Sequence, residues 1–151
     1  MSEEQQELIK KVLRELLENM GVSAEIETGV SEETLFFNIK TSDSGILIGN
    51  HGNNLAALQY LARVLVHKQL PETVPFVVDV EGYKKSRVEY LQELARQAAE
   101  RVRETKEILY LKPMSSYERR VVHAEISKYS DIETTSEGEE PERRVVIRAK
   151  I

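Results

Sequence analysis

GILIGNHGNNLAALQYL, residues 45–61, sets Gly49 and Gly52 three apart between an aliphatic triplet and a run of good helix formers. A glycine inside a helix costs roughly 1 kcal/mol relative to alanine, so this pair predicts a break rather than a continuous helix. The break is a tight turn with almost no side chains, and it opens a helix whose first free N–H groups point back into the turn. A connector between two helices explains such a turn; so does a cradle for phosphate. The surrounding elements decide between them.

Upstream, Glu3 to Met20 repeats apolar residues at helical spacing (Ile9, Val12, Leu13, Leu16, Leu17, Met20) and stops at Gly21. Strands are predicted at Ser23 to Thr28 and Thr34 to Lys40, with Gly29 to Glu33 as the turn between them. A short helical turn, Ser44 to Ile48, precedes the glycine loop. After it comes a helix from Asn53 to Gln69, whose inward stripe is read as Leu55, Leu58, Leu61, Ala62 and Leu65. A strand from Val74 to Val80 closes this half.

The second half begins at Gly82. A helix is expected from Lys84 to Thr105 and a strand from Ile108 to Leu111. Ser115-x-x-Glu118 has the form of a capping box for a helix reaching about Lys128. Ile132 to Thr135 and Arg143 to Ile151 read as a strand pair joined through an acidic loop. The expected fold class is therefore α+β, in two modules at residues 1–81 and 82–151.

Composition narrows the function. The 151 residues contain no cysteine, which excludes disulfides, thiolate metal sites and cysteine nucleophiles and suits a reducing cytoplasm. The N-terminal stretch is acidic and amphipathic, unlike a signal peptide, and no run is long and apolar enough for membrane insertion. No Walker lysine, G-x-G-x-x-G or H-E-x-x-H motif occurs, and His123-x-Glu125 lacks the cysteine pair of a zinc deaminase, so neither catalysis, a metal nor a cofactor is expected. The net charge of −5 argues against a polyanionic partner until the chain is divided. Residues 1–81 hold 6 Lys+Arg against 13 Asp+Glu, whereas residues 82–151 hold 15 against 13. The basic residues are concentrated in the second half.

With Ile48-Gly49-Asn50-His51-Gly52 in this order of elements, the first half resembles a type II KH domain, a three-stranded sheet packed by helices. Arg119-x-x-x-His123 within ERRVVH, followed by SEGEEPERRVVI, resembles the small α/β R-3-H domain, which binds single-stranded nucleic acid. KH followed by R-3-H is the pairing of the Jag (SpoIIIJ-associated, KhpB-like) family of bacterial RNA-binding proteins. A Jag-N domain often precedes the pair in that family and is not expected within these residues. The resemblance implies a cytoplasmic binder of single-stranded RNA, or of single-stranded DNA, acting as a post-transcriptional regulator or RNA chaperone linked to cell elongation or division. It also implies a small KH-only partner protein. A different class remains open, a protein-binding scaffold whose acidic KH half has lost RNA affinity.

On this reading Gly49, Asn50, His51, Gly52 and Asn53 hold the sugar-phosphate backbone, helped by the positive end of the helix dipole. Many KH loops carry Lys or Arg at the two central positions; Asn50 and His51 predict a weaker grip. If His51 touches phosphate, affinity rises from pH 8 to pH 6, as an imidazole gains its proton. Arg119 and His123, four apart, share a helix face that offers a guanidinium fork and an imidazole. Their structural alternative is a local pair binding Glu118 or the acidic loop. Period-two alternation puts Arg144, Arg148 and Lys150 on one strand face with Val146, and Val145, Ile147 and Ala149 inward. Beside Arg119 this stripe is an expected electrostatic track for a single strand.

Overall fold

Leu35, Phe37 and Ile39 alternate along β2 (Thr34–Lys40) and are fully buried, which fixes the face on which the first core forms. The computed structural model describes residues 2–72 and 74–151, and the chain divides into two compact units, residues 1–84 and 85–151. In the first unit β2 is the central strand of a three-stranded sheet ordered β1-β2-β3. β1 (Glu25–Ser31) pairs with it antiparallel and β3 (Phe76–Val80) parallel. Helices α1 (Glu3–Asn19) and α3 (Asn53–Gln69) cover the buried face, with the five-residue α2 (Ser44–Ile48) ahead of the glycine loop. Ile9, Val12, Leu13 and Leu17 from α1 meet Leu55, Leu58, Ala62 and Val66 from α3 over the sheet. Phe37 and Phe76 pack edge to face at 6.0 Å between ring centroids. α1 carries a complete capping box, Ser2 with Gln5.

Three local expectations need correction. Gly29 to Ser31 belong to β1, and the turn is only Glu32 and Glu33, both with positive φ (48° and 65°). Such a two-residue turn matches the twist of the strands it joins but usually recruits Asn or Gly, so two glutamates gave no signal for it. Leu61 is 48% exposed and Leu65 only partly buried, while Gln59 is buried in its place. The inward positions Leu55, Leu58, Gln59, Ala62 and Val66 follow strict helical spacing, and Leu61 falls off that face. Gln59 is satisfied there: its amide donates to Phe76 O (3.2 Å) and accepts from Val78 N (2.6 Å), two groups on the rim of β3 away from β2. Finally, β3 begins at Phe76, not Val74.

The second unit sets α4 (Tyr83–Thr105) and α5 (Ser116–Ile126) against one face of an antiparallel sheet ordered β4-β6-β5. Its strands are β4 (Leu109–Tyr110), β5 (Ile132–Glu137) and β6 (Arg144–Ala149). Leu91, Ala95, Ala99 and Val102 of α4 and Val122 and Ile126 of α5 pack on Val145 and Ile147. β6 is thus the middle strand, which explains its run of three buried residues. Among the described residues no helix is long and apolar enough to cross a membrane.

Candidate nucleic-acid interface

The aliphatic triplet before the loop divides by position: Leu47 is buried, Ile48 packs partly on the core and Ile46 stands exposed. Gly49 then takes φ 70° and ψ −169°, Asn50 to Gly52 form one 3₁₀ turn, and Gly52, at φ 81°, precedes the first residue of α3. Among the described residues no side-chain cap hydrogen bond is made at the start of α3, where the positive end of its dipole lies. Asn50, His51 and Asn53 are exposed around this bend.

Both glycines also have reasons inside the fold, which the sequence did not reveal. A Cβ on Gly49 would lie 2.5 Å from Asn54 Cγ, and Asn54 Nδ2 donates to Ile46 O (2.8 Å), tying α3 to the last turn of α2. A Cβ on Gly52 would lie 3.0 Å from the Tyr83 ring. The loop itself contains no Lys or Arg. Lys84, next to Tyr83, is the lysine that the local field perturbs. Loss of surrounding water lowers its pKa, the Asp79 carboxylate raises it and Arg63 lowers it again. The adjacent pair Lys84-Lys85 was the available sequence signal. An open groove of about 550 Å³ lies farther along α3, lined by Arg63, Val66, His67, Phe76 and Val77 among others.

In the second unit Ser115 caps α5 as expected, its Oγ accepting from Glu118 N (3.3 Å). The box is half formed, because the Glu118 carboxylate accepts from Arg87 Nε (2.8 Å) instead of returning to Ser115. Arg119 and His123 do share a face, and that face is turned toward β5 and its hairpin loop. His123 Nδ1 lies 2.6 Å from Thr134 Oγ1 and Nε2 lies 2.8 Å from Ser136 Oγ. Arg119 is only 7% exposed; its Nη2 donates to Glu140 Oε1 (2.6 Å), and its Nε is buried without a hydrogen bond among the described residues. Of the two structural partners weighed for this pair, the acidic loop supplies one and Glu118 goes to Arg87.

Burial lowers the His123 pKa, and repulsion from Arg119 lowers it further. A neutral imidazole suits its partners, since one ring nitrogen donates while the other accepts from a hydroxyl. The unfolded chain therefore takes up this proton first. The His123 contribution to stability is complete above about pH 7 and is lost as pH falls below about 6.5, the ordinary imidazole value. Asp131, whose pKa is lowered chiefly by its hydrogen bond from Arg103, contributes only in a more acid window. Urea unfolding at pH 7.5 and 5.5 is expected to show a larger loss for the native chain than for His123→Gln; equal losses would remove His123 as the cause.

The strand alternation holds for Val145, Ile147 and Ala149, which face α4 and α5. Arg119 reaches Glu140 in the loop that leads into β6. Arg144 and Arg148 project from the other side of the sheet, because α5 lies against the Val145 and Ile147 side. Lys150 is exposed just past the end of β6. Arg148 Nη2 donates to Glu137 Oε1 (3.1 Å), although Glu137 stands opposite Arg144 in the register. To reach it the Arg148 side chain must lie along β6 across Val146, which is fully buried.

Comparison with known proteins fits this division. Residues 6–80 match the model of the KhpA/KhpB KH domain and residues 89–149 that of the R-3-H domain. Similar proteins include the RNA-binding protein KhpB of Clostridium symbiosum, 39% identical over 132 residues, and that of Lactiplantibacillus plantarum, 35% identical over 132 residues. These alignments take in 87% of this chain but 60% and 41% of the two relatives, so the chain spans only part of their length. The RNA-binding protein KhpB of Bacillus subtilis is 32% identical over 143 residues, covering 93% of this chain and 69% of that protein.

Proposed function

The chain belongs to the KhpB family, and from that membership we propose that it binds single-stranded RNA through both of its units and catalyses no reaction. The observation that carries the proposal is the bend at Gly49 to Gly52, where exposed Asn50, His51 and Asn53 surround the start of a 17-residue helix that carries no side-chain cap hydrogen bond among the described residues. In the second unit Arg119, Arg144, Arg148 and Lys150 supply cationic contacts, with His123 holding β5 to α5. Single-stranded DNA meets the same groups, and the deoxyribose strand serves as the control ligand. The role assigned is that of a bacterial post-transcriptional regulator or RNA chaperone in the cytoplasm, linked to cell elongation or division.

The test is fluorescence anisotropy of an unstructured, labelled oligoribonucleotide over a salt series. Three or four phosphate contacts give a log-log slope of about −2 to −3, and Arg144→Ala is expected to reduce its magnitude by about 0.7. Affinity that ignores salt would contradict the cationic contacts.

A second reading, a protein-binding scaffold, is favoured by one observation: α3 exposes Tyr60, Leu61 and Val64 on a unit that is strongly acidic. A small KH-only partner would cover that face, which also reconciles the two readings. Absence of RNA from freshly purified protein, together with no oligonucleotide binding at low salt, would leave the scaffold alone.

A further inference from the structure

The outer face of the second sheet combines an exposed aromatic ring with several cations. β4 and β6 pair antiparallel with Leu109 opposite Ile147 and Tyr110 opposite Val146. The Leu111 N–H donates to Val145 O (3.0 Å) and the Met114 N–H to Arg143 O (3.2 Å), so the segment past β4, Lys112 included, runs on beside the start of β6. Leu111 is buried beside Val145 in the core, which leaves Lys112 on the outer side with Tyr110. Lys112, past the end of β4, and Arg144, at the start of β6, have no ion-pair partner among the described residues. Tyr110, 56% exposed, stands on β4 opposite Val146, over which the Arg148 side chain passes, and Ile108 (48%) lies just before that strand. The acidic residues of this face, Glu133 and Glu137, lie on β5, beyond β6.

An exposed aromatic ring on a face that also carries Lys112, Arg144 and Arg148 suits alternating planar bases and phosphates. Building on the RNA-binding reading above, we infer that this face is an additional contact surface for single-stranded RNA, with one base stacked on Tyr110 and the flanking phosphates at the Lys112–Arg144 pair and at Arg148. The Arg148 guanidinium already lies along the strand toward Glu137, so a phosphate here competes with a carboxylate for it. Tyr110 is the new residue in this assignment, and Lys112 completes the cationic pair.

The ligand for the test is oligouridylate, which is single-stranded and free of stable structure. Tyr110→Ala is expected to weaken its binding about tenfold, while Tyr110→Phe, which keeps the π-face, stays within twofold of the native chain. The protein contains no tryptophan, so Tyr110→Trp places a single reporter on the face, and its emission is expected to be quenched as RNA binds. Lys112→Gln should flatten the salt dependence by about 0.7 in slope. If the Tyr110→Trp emission does not change while Arg119→Ala still weakens binding, the platform is wrong and the RNA reading stands. If the native chain binds no RNA at low salt, both fall.

Discussion

Replacing Asn50 and His51 together by aspartate is expected to weaken binding of single-stranded RNA at least tenfold in a chain that still folds. Both side chains are exposed, so no core contact is lost. His51 sits at φ 54°, a left-handed conformation that aspartate tolerates better than most residues. The effect comes from placing two negative charges where phosphates must approach, at the helix end whose own dipole favours anions. Like-charge contacts across an interface cost several kcal/mol, and about 1.4 kcal/mol is already tenfold. Unchanged capture by a folded double variant would remove the bend from the binding surface.

Arg119 and Glu140 are expected to act in opposite directions. Arg119→Ala removes a buried guanidinium and should lower RNA affinity about tenfold, the scale of a lost charge-assisted hydrogen-bond pair. It should also destabilise the second unit by about 1–3 kcal/mol, since the long side chain fills space in that unit. Glu140, 58% exposed on its side chain, occupies the guanidinium in the structure. Glu140→Gln is expected to raise affinity two- to fivefold, the range corresponding to an exposed ion pair. Binding isotherms of the two variants and their double mutant separate the roles. If Arg119 and Glu140 only brace the hairpin loop, both single changes weaken binding and the opposition of sign disappears.

The glycine bend, the bounds of α2 and α3 and all of β2 could be read from the sequence because local signals agreed: broken helical spacing, β-branched alternation and a proline past the helix end. Misreadings arose where a distant partner overrode the local pattern. Gln59 is buried because the rim of β3 offers it a matching carbonyl and amide, a match no window around residue 59 contains. Glu118 leaves its capping box for Arg87, thirty-one residues earlier in the chain. The spacing of Arg119 and His123 placed them on one helix face but could not say that β5 and its loop would cover that face. Period two correctly separated Arg144 and Arg148 from the core. It could not show which face of the sheet α5 covers, since that depends on packing far from these strands in the chain.

The amide of Gln59 also has a bearing on how copies of this chain behave when crowded. A bare strand margin invites a neighbouring polypeptide to extend the ladder, the usual first step toward insoluble aggregates. Here one side chain plays the part of an absent fourth strand along two residues of that margin. Growth of the sheet at the β3 margin is thereby hindered at those two residues, which leaves β1 as the margin open to a neighbour.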